Sequence, residues 1–266
     1  MYLADYHIHT KYSFDGYEQI EDICNMAMKR GINEIALTDH MDIFSDKPYE
    51  SILDCDSLYQ DIERAKIEFD GKLIIRKGVE LGQPQANPAE SRKFMEKYSL
   101  DFIIGSIHNI KDDIDVYEYD FKQLDCNEVY REYLMCLSEL TVNYNFDVLG
   151  HLTYPLRYIY QKEHKRVDLK LFEAQFRELF KKVIERGKGI EVNTSGLLQP
   201  MNETMPPLSI IKLYKECGGE IITVGSDAHK IGQIGTTIKQ GQELLKEAGF
   251  QYITIFENRK PSFKKI

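Results

Sequence analysis

The stretch Tyr2-Leu3-Ala4-Asp5-Tyr6-His7-Ile8-His9 runs an apolar segment directly into a pair of histidines. Residues two apart on a strand face the same way, so His7 and His9 can address one cation. The arrangement returns as Thr38-Asp39-His40, Ser106-Ile107-His108, Gly150-His151 and Asp227-Ala228-His229. Six of the seven histidines follow short apolar runs, and only His164, in a charged stretch, does not. Apolar runs that end in His, Asp or Glu are expected where the strands of a parallel barrel bring distant ligands to one rim.

Strand-like runs fall at residues 2–7, 34–38, 72–78, 102–106, 148–150, 189–193 and 221–225, with a last one at 252–256 as an edge strand or surface cap. Amphipathic helical patterns lie between them. Ile20, Ile23, Cys24, Ala27 and Met28 repeat before Gly31, and Leu171, Phe172, Phe176, Leu179, Phe180 and Val183 repeat before Gly187. Further helices fit residues 57–69, 127–143, 208–217 and 241–247. Strands and helices in strict alternation imply parallel strands. A doubly wound open sheet would string the ligands along an edge, so their convergence favours a barrel. Two connections look long: residues 112–120, acidic and aromatic, and residues 154–166, basic. Loops of that kind over a barrel mouth often bind substrate.

The 266 residues match the size of one barrel, and a hydrophobic fraction of 42% is ample for its core. No linker rich in Gly, Pro or Ser divides the chain, so a single domain over 1–266 is expected. A net charge of −9 offers no footprint for gripping a nucleic-acid backbone. The five cysteines, Cys24, Cys55, Cys126, Cys136 and Cys217, contain no CxxC pair and are odd in number, which speaks against a disulfide framework or a thiolate zinc site. With no signal-like start and no apolar run of about 18 residues, a cytoplasmic protein without a membrane anchor is expected.

Asp15, in Ser13-Phe14-Asp15-Gly16, could supply a hard oxygen ligand or merely form a turn. Glu80 leaves its strand after Gly78-Val79 and, through two oxygens, could bridge two cations. Taken singly, each of these residues has a bland structural reading. Together, nine candidates (His7, His9, Asp15, His40, Glu80, His108, His151, Asp227 and His229) gather at strand ends and point to a metal centre. Imidazoles and carboxylates without thiolate suit zinc, iron or manganese, and nine donors imply two or three divalent ions. Such a cluster lowers the pKa of a bridging water and clamps a phosphoryl oxygen, so hydrolysis of a phosphate ester is the natural chemistry.

These segments resemble the polymerase and histidinol phosphatase (PHP) superfamily. His7-Ile8-His9-Thr10-Lys11-Tyr12-Ser13-Phe14-Asp15-Gly16 is similar to its first motif, Thr38-Asp39-His40 to the second, Gly105-Ser106-Ile107-His108 to the third and Gly225-Ser226-Asp227-Ala228-His229 to the last. The resemblance implies an α/β fold, a distorted seven-stranded TIM-like (β/α)7 barrel with its metals at the C-terminal ends of the strands. By motif position, His7, His9, Glu80 and Asp227 would hold a first metal, Glu80 would bridge to His108 and His151 at a second, and Asp15, His40 and His229 would hold a third. It further implies a metal-bound hydroxide attacking phosphorus in line, with Asp227 or His229 passing a proton to the leaving alkoxide.

Within the superfamily the chain resembles the monofunctional histidinol-phosphate phosphatases, through its length, the segment Gly150-His151-Leu152-Thr153-Tyr154-Pro155-Leu156-Arg157-Tyr158, and Glu191-Val192-Asn193-Thr194-Ser195-Gly196-Leu197 followed by Glu203 and Pro206-Pro207. Hydrolysis of L-histidinol phosphate, a step of histidine biosynthesis, is the activity this implies. Arg157 would pair with the phosphate, Ser195 and Asn193 would add hydrogen bonds, and Asp42 and Glu118 would meet the substrate ammonium. One position departs: after Ser195-Gly196-Leu197 many members of that branch carry an arginine, and this chain has Leu198. The rival readings are a PHP phosphoesterase acting on nucleotides or oligonucleotide ends, and a non-catalytic metal-binding barrel. The acidic charge weighs against the first and the complete ligand set against the second.

Overall fold

The computed structural model describes residues 1–266. Seven parallel strands, β1 (Ala4–Ile8), β2 (Glu34–Leu37), β3 (Ile74–Gly82), β4 (Phe102–Ser106), β5 (Val148–Leu149), β6 (Gly189–Asn193) and β7 (Ile222–Gly225), neighbour one another in chain order. Most are apolar runs buried along their whole length, as strands covered by helices must be. The helices between them bury the predicted stripes: Ile20, Ile23, Cys24 and Ala27 in Ile20–Lys29, and Phe176, Leu179, Phe180 and Val183 in Glu173–Glu185.

The ring nearly closes. Between β1 and β7 there is no regular ladder, only one bridge between Ile8 and Ala228, with His9 N donating to the Ala228 carbonyl at 2.9 Å. The buried Asp5 carboxylate completes the seam by accepting from Ser226 N at 2.8 Å and Gly235 N at 3.0 Å. The barrel is also distorted beside β2. That strand pairs with β3 over Ile74–Lys77, then the chain steps out through Thr38 and Asp39 and returns as a short strand, His40–Asp42, paired with Glu80–Gly82. This second pairing carries β3 past residue 78, where the sequence pattern ends it.

Two further expectations change, and an open one is decided. Residues 154–166 are mostly not a loop: Tyr154–Glu163 is a helix, with Pro155 in its first turn and Tyr154, Pro155, Leu156, Tyr158 and Ile159 buried. The basic residues masked that apolar face. Residues 112–120 contain a hairpin, Asn109–Lys111 with Ile114–Asp115, followed by a 3-10 turn at Val116–Glu118. Tyr252–Glu257 is a cap rather than an edge strand: it pairs antiparallel with Lys260–Lys265, and the hairpin packs across the N-terminal ends of the barrel strands. The helix Pro88–Lys97 was not foreseen either.

Candidate metal centre

All nine predicted ligands meet at the C-terminal mouth. His7 and His9 project together from β1, and their Nε2 atoms face the same two carboxylates. His7 Nε2 lies 3.2 Å from Glu80 Oε2 and 3.7 Å from Asp227 Oδ1, and His9 Nε2 lies 3.6 and 3.3 Å from the same atoms. Four donors bound at about 2.1 Å to one zinc-sized cation stand roughly 3–3.5 Å apart, so these separations trace a coordination shell. Glu80 Oε1 faces a second set, His151 Nε2 at 2.8 Å and His108 Nε2 at 3.2 Å, themselves 3.3 Å apart. A third set is formed by Asp15 with His229 Nε2 at 3.1 Å and His40 Nε2 at 3.6 Å. Glu80 thus stands between the first two sets, one oxygen to each.

Buried polar atoms almost always find partners. Here His7 Nε2, His9 Nε2, Asp15 Oδ1, His40 Nδ1 and Glu80 Oε2 are buried without a hydrogen-bond partner. Orphaned donors and acceptors converging at cation-sized spacing are the mark of a site built for metal, and the residues present fit two or three divalent ions. Charge agrees. Burial alone would raise the Glu80 carboxyl, but the His7, His108 and His40 imidazoles outweigh it and hold the group well below its usual range. Asp227 is likewise pulled well down against its burial, by His7, His9 and His229. Burial, then the neighbouring His229 and His40, pushes His9 well below its ordinary value, leaving a neutral ligand.

Behind the donors lies a set of orienting partners. His7 Nδ1 is held by Glu191 Oε1 at 2.7 Å, and the other Glu191 oxygen accepts from His151 N at 2.9 Å. Gly225 allows this: a Cβ there would stand 2.3 Å from Glu191 Oε1 and 2.4 Å from the His7 Cβ. Ser106 Oγ donates to Glu80 Oε1 at 2.7 Å. Asp39 accepts from the main-chain N–H and hydroxyl of both Thr10 and Ser13, tying down the loop that presents Asp15. Ser13 Oγ in turn sits 3.1 Å from His9 Nδ1. Glu191, Asp39 and Ser106 were not assigned from the sequence. A carboxylate in the middle of an apolar strand was the available signal for Glu191. Asp227 itself adopts φ 52°, a left-handed conformation that costs a non-glycine residue and is typical of functional turns.

The predicted substrate contacts divide. Ser195 Oγ lies 3.3 Å from Asp227 Oδ2 and donates to Asn193 Oδ1 at 2.7 Å, and Arg157 Nη1 lies 4.0 Å from the same Asp227 oxygen. Glu118 is exposed on the 3-10 turn, outside the cluster. Asp42, expected to meet a substrate ammonium, is placed differently. Its Oδ1 holds His108 Nδ1 at 2.8 Å and accepts from Gln83 Nε2 at 3.0 Å, because the second pairing of His40–Asp42 on β3 turns it inward. His164 caps the helix Tyr154–Glu163, away from the centre.

A sequence model of the PHP domain matches residues 5–195. The chain is 30% identical to the histidinol-phosphatase of Lactococcus lactis subsp. lactis (strain IL1403), over 96% of this chain and 95% of that protein. It is 28% identical to the probable histidinol-phosphatase of Thermotoga maritima, over 95% of both. Its fold superposes on the crystal structure of the Lactococcus lactis histidinol phosphate phosphatase in complex with zinc, L-histidinol and phosphate with a TM-score of 0.86, at 27% identity and 98% coverage of both chains. The motifs, the barrel and the near end-to-end alignments agree: this chain belongs to the PHP domain family, on its histidinol-phosphatase branch.

Proposed function

We propose that the protein is a metal-dependent phosphomonoesterase that hydrolyses L-histidinol phosphate to L-histidinol and phosphate, the reaction by which its relatives are named. The observation that carries the reading is the convergence of nine imidazole and carboxylate donors with unpartnered buried atoms at cation-sized spacing. The first set would be His7, His9, Glu80 and Asp227, the second Glu80, His108 and His151, and the third Asp15, His40 and His229. Divalent ions held there supply a low-pKa water and neutralise charge on the phosphoryl oxygens.

The chain's own groups do the rest. Arg157 binds the phosphoryl group, and Ser195 with Asn193 lines its approach. Asp227 Oδ1 faces His7 and His9, whereas Oδ2 faces Ser195 and Arg157. Asp227 Oδ2, turned away from the imidazoles of the first set, is therefore the oxygen placed to accept the proton of the attacking water and return it to the leaving alkoxide as the ester P–O bond breaks. His229, packed between Asp15 and His40, is the less available carrier. Glu118, on the acidic rim, meets the substrate ammonium. The chain acts as one barrel unit over 1–266, consistent with a single contiguous core. No helix is long and apolar enough to cross a membrane, and free cysteines throughout suit a reducing cytoplasm.

Initial rates on L-histidinol phosphate, with nucleotide monophosphates and a short oligonucleotide in parallel, test the reading. A kcat/KM above about 10⁴ M⁻¹s⁻¹ for histidinol phosphate, exceeding the others by orders of magnitude, is expected. Preference for a nucleotide or oligonucleotide would overturn the substrate and leave the metal centre standing.

A further inference from the structure

Two segments far apart in sequence, the acidic residues 112–120 and the basic helix Tyr154–Glu163, are clamped together at the mouth. Lys162 Nζ donates to the carbonyls of Tyr117 and Tyr119, the latter at 3.1 Å, and the Tyr117 ring packs edge-on against Tyr158 with centroids 5.3 Å apart. Beneath this contact runs a line of side-chain hydrogen bonds. Arg157 Nη2 donates to Tyr158 Oη at 2.5 Å, Tyr158 Oη donates to Tyr154 Oη at 3.2 Å, and Tyr154 Oη reaches the two Asp115 oxygens at 3.2 and 3.3 Å. A guanidinium only donates and a carboxylate only accepts, so the two ends set the direction of both hydroxyls between them. Such aligned chains strengthen one another in a low-dielectric setting.

The line is anchored to the metal centre as well. The Tyr154 ring lies 4.8 Å from the His151 ring and 5.1 Å from that of His108. Tyr154 and Tyr158, four apart on one helical face, also pack against the guanidinium, whose Cζ is 5.5 and 4.7 Å from their ring centroids. One edge of Arg157 is thereby held. Of the rest, Nη1 is turned toward Asp227 and Nε is buried with no partner. With Nη2 held by Tyr158, the Nη1 and Nη2 end of the guanidinium is fixed in orientation beside Asp227, where its remaining N–H groups can meet anionic oxygens.

We propose that Tyr158, Tyr154 and Asp115 are positioning residues that aim Arg157 at the phosphoryl group, so that the acidic segment serves the site through Asp115. The inference rests on the assignment of Arg157 to the phosphoryl group made above. An arginine side chain has many rotamers, and ordering it before substrate arrives removes that entropic cost from binding.

Calorimetric binding of inorganic phosphate to the metal-replete protein, with KM and kcat on L-histidinol phosphate, separates the possibilities. The set comprises wild type, Arg157→Lys, Tyr158→Phe and Asp115→Asn, with metal content and circular dichroism recorded for each. Tyr158→Phe and Asp115→Asn are expected to weaken phosphate binding and raise KM roughly tenfold, with kcat moved less and metal content unchanged. Asp115→Glu should restore part of the loss, and Tyr158→Phe should add nothing to Arg157→Lys. If Arg157→Lys weakens phosphate binding while Tyr158→Phe and Asp115→Asn do not, the line is merely structural and the inference falls. If Arg157→Lys also binds phosphate normally, the role of Arg157 falls and the inference with it. Should Asp115→Asn disturb the fold, Tyr158→Phe decides alone, since it removes one hydroxyl and keeps the ring.

Discussion

The two ends of the barrel both bury carboxylates and use them in opposite ways. At the N-terminal end, under the C-terminal hairpin, buried charge is matched group for group. Glu34 accepts from Tyr2 at 2.5 Å, Tyr6 at 2.6 Å and Arg76 Nε at 2.7 Å. Asp147 takes Ile103 N and the Arg259 guanidinium, and Asp101 takes Lys77 N and Asn258 N. At the C-terminal end, carboxylates and imidazoles just as deeply buried leave atoms facing one another without partners. A polar group buried unpaired costs free energy that a fold does not retain without return. The closed end therefore serves stability, and the open end holds capacity for ligands.

The sharpest way to break the contrast is Glu80→Gln, which removes the carboxylate shared by two ligand sets. Turnover should fall by roughly 10³-fold or more, since bound cations supply several kcal/mol of transition-state stabilisation. Tm in the presence of a chelator should change little, and a large drop there would mean that Glu80 stabilises the fold rather than the site.

A crossed pair sharpens it further. Glu34 and Glu191 are both strand carboxylates with almost no exposure. Glu34→Ala strands Arg76, whose remaining partner Glu257 is exposed, and should cost about 3 kcal/mol of stability. The kcat of the folded fraction should be kept. Glu191→Gln should do the reverse, lowering metal affinity or activity 10–100-fold on the order seen for such orienting partners, with a smaller effect on Tm. Equal effects of both variants on both readouts would erase the distinction between the ends.

The smallest effect concerns pH. Burial alone would raise the Asp101 carboxyl, but N–H groups of Lys77 and Asn258, with the Lys66 ammonium, hold it below its ordinary 3.8. A carboxyl depressed in the folded state stabilises at pH values above its unfolded pKa, and that contribution drains away as pH falls through the folded one. Asp101→Asn should thus lower Tm at neutral pH, and the gap to wild type should narrow in acid below about pH 4. A gap that widens in acid would show that Asp101 is not held low.

Which parts of this were legible follows from what each residue had to do. Strands buried on both faces are mostly apolar, so all seven barrel strands could be read, and ligands that end them stood out. The orienting residues were harder. Asp42 read as a substrate contact and Asp39 had no assigned role, because the step of the chain between β2 and the strand His40–Asp42 is not written in any periodicity. The helix Tyr154–Glu163 was hidden by the basic residues interleaved with and following its buried face. Lys260–Lys265 was missed because a surface strand with its charges in water has no apolar alternation to detect.

The first ligand set straddles the seam between β1 and β7. His7 and His9 lie on one side of it and Asp227 on the other, so residues from opposite ends of the chain face each other across the one gap in the ladder. Anything that binds both sides closes a loop almost as long as the polypeptide, and in the unfolded chain such closure is statistically expensive. For this protein an ion in the first set would thus join the two sides of the seam and stabilise the closed form in proportion to its binding, and the catalytic centre would double as the clasp of the barrel.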